Sequence, residues 1–81
     1  MEPPSHDDVV AVFNALISGT RTRQDVSEWA VSYIVSGMRI EDKRISQAID
    51  DLGMADLIST DRPYLYDEED FREWLREFEE R

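Results

Sequence analysis

Four times along this chain, apolar side chains return at three- and four-residue intervals, and each time a capping residue opens the run. That spacing places them on one face of a helix at 3.6 residues per turn, and no stretch alternates long enough to demand a sheet. The pattern confines the chain to an all-α fold: a small single-domain bundle of four short amphipathic helices. One connection, Leu57 to Tyr66, is irregular or hairpin-like, because Leu57-Ile58-Ser59-Thr60 and Tyr64-Leu65-Tyr66 flank an Asp61-Arg62-Pro63 turn. Pro63 fixes its own backbone angle and biases Arg62 away from helix, so the segment is a boundary in either form.

Residues 1 to 4 hold Pro3 and Pro4 and are expected to be disordered, which leaves one domain over residues 5 to 81. Ser5 caps the first helix with Asp8 as its reciprocal partner, and Val9, Phe13, Leu16 and Ile17 form its apolar face. Gly19 closes it by accepting a left-handed conformation. Thr22 opens the second helix with Asp25 at the capping-box position. Val26, Trp29, Ala30, Tyr33 and Ile34 trace its stripe, Trp29 reads as core, and Val31 and Val35 widen the buried face if this helix is central. Met38 and Ile40 plug the end of the core from a loop. Asp42 begins the third helix, where Ile45, Ala48, Ile49 and Leu52 repeat and Gly53 supplies the stop. Leu57 and Ile58 are expected to anchor inward. Asp67 caps the last helix with Asp70 answering it, Glu68 and Glu69 suit the positive end of its dipole, and Phe71, Trp74, Leu75 and Phe78 form its face.

An 81-residue chain buries only about 60 to 65% of its unfolded surface, so its stability is marginal. Without cysteine it has neither a disulfide framework nor a thiolate zinc site, which suits a reducing cytoplasm. The amino terminus lacks the basic region of an export signal. The most apolar run, Val9 to Ile17, falls short of the ~20 residues that a membrane span needs.

Charge is the unusual feature of the composition, with 19 acidic against 9 basic residues and a net of -10. The 41% of apolar residues at helical spacing argue for folding in spite of it. Residues 1 to 20 carry -3, residues 21 to 44 carry +1 and residues 45 to 81 carry -8. A field so polarised repels nucleic acid and steers a basic partner toward the acidic half.

Carboxylates this abundant make any nominated acid/base pair uninformative, and a small four-helix domain has little room for the cleft that tunes one. The run from Asp61 to Asp70 lacks the ladder and central glycine of a calcium loop. His6 stands alone and reads as a solvated first-turn side chain. Phosphate-cradling glycine loops, nucleophile triads and zinc spacings are absent. The expectation is a non-enzymatic protein with no catalytic residue, no metal and no cofactor.

Tyr64 and Tyr66 are more informative. Were they and Phe71 all buried, two phenol hydroxyls would need partners inside a small core, so at least one is expected on the surface. A tyrosine ringed by carboxylates suits a cationic protein partner. The plainer reading makes Tyr66 a staple at the start of the last helix and Tyr64 a lid on Trp74. Exposed i, i+4 pairs, Glu68 with Arg72 and Glu77 with Arg81, contribute only about 0.3 to 0.5 kcal/mol each.

Small size, acidity, absent cysteine and a tyrosine pair among acids before the last helix resemble the colicin and pyocin immunity proteins, which bind and block basic nuclease toxins. Their short third helix reads Asp-Leu-Ile-Tyr-Tyr-Pro. Asp56-Leu57-Ile58 matches its first half, whereas Ser59 and Thr60 stand where the tyrosines belong and Pro63 precedes Tyr64 and Tyr66. The resemblance covers the last third of the chain and implies an inhibitor of a cationic protein. The leading expectation is an acidic interaction module, an immunity protein, antitoxin or inhibitor, that binds a basic protein through Asp56, Asp61, Tyr64, Tyr66, Asp67, Glu68, Glu69 and Asp70. The alternative is a winged-helix DNA-binding domain whose recognition helix runs from Asp42 to Leu52. Arg39, Lys43, Arg44 and Gln47 gather there, but the net charge makes nucleic acid an unlikely partner.

Overall fold

Side chains, not backbone, supply the first acceptor at the start of every helix. A computed structural model describes residues 2–58, 60–61 and 63–80. Among these the chain forms α1 (His6–Ser18), α2 (Arg23–Val35), α3 (Lys43–Gly53) and α4 (Glu68–Glu80). Ser5 and Asp8 exchange hydrogen bonds in a complete capping box. The Thr22 hydroxyl accepts from the Asp25 amide, but the Asp25 carboxylate takes the Arg21 Nε–H at 2.9 Å, so this box is half made. Asp42 accepts from the amides of Arg44 and Ile45, and Asp67 and Asp70 reciprocate at 2.9 and 3.2 Å. Each bond satisfies an amide that a helix start leaves without an internal partner.

The bundle is built from two pairings. α1 packs chiefly on α4 and α2 chiefly on α3, and α3 joins the pairs by also packing on α4. Phe13, Val9, Val26, Ile49 and Leu52 are fully buried at the centre, with Phe71 and Phe78 entering from α4. The Phe13 and Phe78 rings lie 6.3 Å apart. Ser27 is the buried polar residue among the described residues, and its hydroxyl donates to the Gly53 carbonyl at 2.9 Å, tying α2 to the end of α3.

Gly19 closes α1 at φ 82, a conformation costly for residues with a Cβ. Gly53 does not act this way. It is the last residue of α3, and Met54 caps the helix from a conformation with negative φ. Trp29 and Tyr33 are half-buried and meet edge to face at 5.1 Å. Ile40 is half-buried against the core, as expected of a plug. Val31 and Val35 face solvent because α2 covers α3 with one side only, and Leu57 and Ile58 are likewise exposed, not anchored inward.

The connection after α3 turns through Met54, whose carbonyl accepts the Leu57 amide, and Leu57 in turn accepts from the Leu65 amide at 2.9 Å. No strand forms among the described residues, so they supply no hairpin wing. Ser59 and the Arg62 boundary lie outside the described residues, as does Arg81, the expected partner of Glu77. No helix among the described residues is long and apolar enough to cross a membrane.

Candidate functional site

The acidic, phenol-bearing stretch is occupied largely with making the fold. Asp67 and Asp70 engage each other's backbone amides at the start of α4. Glu68 lies 3.6 Å from Arg72, one turn on. Tyr66 is half-buried and meets the Trp74 ring edge-on at 4.8 Å. Tyr64 is 41% exposed and covers Arg23, not Trp74. Asp56 is half-buried, while Asp61 and Glu69 are exposed. The structure thus gathers Tyr64 and Tyr66 about Arg23, and leaves Asp61 and Glu69 on the surface.

Arg23 is the residue that sequence reasoning missed. Its guanidinium lies over the rings of Tyr64 and Phe71, at 4.2 and 4.8 Å from their centroids. Nη1 donates to the carbonyls of Ala55, at 3.3 Å, and Tyr66. One side chain at the start of α2 therefore fastens both ends of the connection between α3 and α4. The signal in the sequence was slight: a cation in the first turn of α2 opposes the helix dipole.

A second constellation lies on α3. Ala48, Ile49 and Leu52 are buried, which turns Lys43 and Gln47 outward one turn apart. Arg44 is half-exposed beside them, 3.7 Å from the capping carboxylate of Asp42. Gln47 Nε2 donates to Asp51 at 3.1 Å. The outer stripe therefore changes sign along its length: cations and an amide at the start, then Asp50 and Asp51. Two amide hydrogen bonds, from Arg44 and then Ile45, lower the pKa of Asp42 from its ordinary value, so it stays ionised.

The loop before α3 holds the stripe in place. Ser36 donates to the Tyr33 carbonyl at 2.7 Å and accepts from the Met38 amide, and Gly37 turns the chain at φ 71. Arg39 is exposed on this loop. Ile40, Glu41, Asp42 and Ile45 face Pro3 and Pro4 across a depression of about 250 Å³, with Pro4 itself buried. His6 stacks on Phe78 at 4.8 Å, which makes it a packing ring as well as a first-turn side chain. Among the described residues no group of three or more His, Asp or Glu is placed to hold a metal ion.

A sequence profile of the family described as YxzC DNA-binding protein matches residues 5–78. A curated relative, the uncharacterized protein YxzC of Bacillus subtilis (strain 168), is 28% identical over 67 residues. These are 82% of this chain but 55% of the relative, so the chain spans little more than half of that protein's length. No solved structure matches.

The profile match overturns the resemblance to nuclease immunity proteins. With it go the reading as an immunity protein, antitoxin or inhibitor of a basic protein, and the expectation that nucleic acid is an unlikely partner. Two signals misled. The net charge averages over a surface whose sign changes along α3, and two of the acids near the tyrosines, Asp67 and Asp70, cap α4. With the match covering nearly all of the four-helix unit, the chain belongs to the YxzC DNA-binding protein family.

Proposed function

We propose that this domain binds double-stranded DNA through the N-terminal half of α3, with Lys43, Arg44 and Gln47 as the leading contacts and Arg39 on the adjoining loop. The family match carries the reading. The geometry of α3 supports the location, since its buried face locks Lys43 and Gln47 outward at the end of the helix where the backbone dipole is positive. Helix-turn-helix proteins present the same part of their second motif helix to base edges, and α2, the loop and α3 follow that order here without a wing among the described residues. The role proposed is non-catalytic: binding and positioning, with no bond made or broken.

A net charge of -10 sets the character of such binding. Nonspecific affinity comes from neutralised phosphates, and three cations near α3 give a salt slope of no more than about 3. Binding is then weak on arbitrary sequence and depends on base contacts. Fluorescence anisotropy with a random duplex pool at about 20 mM salt, followed by selection of bound sequences, tests this. The expected result is salt-sensitive binding that Lys43→Glu with Arg44→Glu abolishes. Absence of binding at low salt, or indifference to that double substitution, overturns the proposal.

A further inference from the structure

A depression of about 210 Å³ lies where the end of α2, the loop after it and α3 come together. Ile34, Met38, Ile40 and Ile49 give it apolar walls, with Ile49 buried and Met38 and Ile40 half-buried. Ser36 fixes the loop side of it, since the hydroxyl donates to the Tyr33 carbonyl and accepts from the Met38 amide. The polar side chains of the lining are Tyr33, Ser46 and Asp50. Among the described residues, the Tyr33 phenol, the Ser46 hydroxyl and the Asp50 carboxylate take no hydrogen bond and no ion pair.

We propose that this depression binds a small primary ammonium ion on an apolar body, a free aliphatic amine of about five carbons. At about 30 Å³ for a water-sized group, the volume holds about seven non-hydrogen atoms. Of the described lining residues only Asp50 is charged, so a cation gains there what an anion loses. An ammonium has three N–H donors and no acceptor, and carboxylate, hydroxyl and phenol oxygens can all accept from it. The four apolar walls favour a carbon body, from which a bare inorganic cation gains nothing. Lys43, the cation on the same stripe, stands two turns from Asp50, about 10 Å along the axis, where salt screens most of its opposition. The net charge of -10 further enriches cations at the surface.

Occupancy acts on α3, a consequence that rests on the DNA reading, whereas the amine site itself does not. Asp50 shares the outer stripe with Lys43 and Gln47, and an ammonium beside it offsets the charge that opposes phosphate. The amine therefore tightens duplex binding, and by linkage a duplex tightens amine binding by the same factor.

Amide NMR spectra of the full chain, titrated with isoamylamine hydrochloride at constant total salt, test the proposal. The expected result is saturable shifts confined to residues 33–40 and 46–50, half complete at about 1 to 10 mM for so small a ligand. Asp50→Asn, at an exposed position, should weaken binding at least tenfold. Asp51→Asn, one position on and outside the lining, should leave it within about twofold. Isovalerate and isoamyl alcohol carry the same body without the ammonium, and ethylamine carries the ammonium without the body; each should bind at least tenfold more weakly. An alcohol that matches the amine overturns the proposal, as does a site that ignores Asp50→Asn. So do shifts that never saturate and spread over the carboxylates of α4. In anisotropy titrations, about 20 mM isoamylamine hydrochloride, against equal sodium chloride, should tighten duplex binding about threefold in the wild type and not in Asp50→Asn. Saturable amine binding on a chain that leaves every duplex unbound keeps the site and sinks the DNA reading, and a chain that binds duplex but ignores the amine does the reverse.

Discussion

The guanidinium of Arg23 rests 4.2 Å from the ring centroid of Tyr64, which makes the most conspicuous tyrosine of the sequence a cover for a structural cation. The same guanidinium donates to Ala55 and Tyr66 carbonyls, so four groups depend on one side chain. Hydrogen bonds to a charged donor are worth about 1.5 to 3 kcal/mol, and a cation over a ring adds about 0.5 to 1 at exposed sites. Arg23→Ala should lower unfolding free energy in urea by about 2 kcal/mol. Arg23→Lys should recover less than half of that, because an ammonium lacks the planar fork. A loss within error of zero for Arg23→Ala would remove the clamp.

Gly19 and Gly53 should respond to an added methyl in opposite directions. Gly19 sits at φ 82, so Gly19→Ala should destabilise by about 1 kcal/mol. Gly53 has ordinary helical geometry, and an added Cβ would meet Ile34 Cδ1 at 3.6 Å and Val31 Cγ2 at 3.7 Å, normal contact distances. Gly53→Ala should therefore stabilise by about 0.5 kcal/mol, through the lower conformational freedom of the unfolded chain. Paired thermal melts decide the matter by sign alone.

Acid should act on α3 through Asp42. Its folded pKa lies below the ordinary 3.8 because the Arg44 and Ile45 amides bind the carboxylate. A depressed folded value means stability that is present in full above the unfolded value and lost as pH falls through the folded one. Asp42→Asn retains a capping acceptor without a titrating charge. The wild type should thus lose more thermal stability than Asp42→Asn on acidification from pH 3.8 downward. Parallel curves for the two proteins would show that the cap is not the titrating element.

On the outer stripe of α3, Asp50 follows the cations and opposes phosphate. Asp50→Asn should tighten duplex binding roughly three- to tenfold at low salt, with the gain shrinking as salt is raised. Anisotropy titrations at two salt concentrations measure both parts. Unchanged affinity would place the DNA off this face of the helix.

Helix positions were readable because capping chemistry and apolar spacing are local. Ser5, Thr22, Asp42 and Asp67 each begin a helix where their side chains indicate, and the buried faces of α1, α3 and α4 follow their period. The outward turn of Val31, Val35, Leu57 and Ile58 was not readable, because an exposed apolar strip and a buried one have the same spelling. Arg23 was hidden for a related reason, since its partners at Ala55, Tyr64 and Tyr66 are more than thirty residues away and include backbone carbonyls that no side-chain pattern announces. The expectation against nucleic acid was drawn from the total charge. The total of -10 is a property of the whole chain, whereas the start of α3 presents Lys43 and Arg44 locally.

The packing of α1 against α4, with Phe78 beside Phe13 and His6, joins two helices that leave the ribosome some fifty residues apart. During synthesis the greasy side of α1, Val9, Phe13 and Leu16, has to wait for Phe71 and Phe78 to emerge from the exit tunnel. The α2 and α3 hairpin can assemble earlier, from neighbours. A nascent chain halted after α3 would therefore be a natural client for chaperones and proteases, and the arrival of α4 is the moment this domain becomes safe to keep.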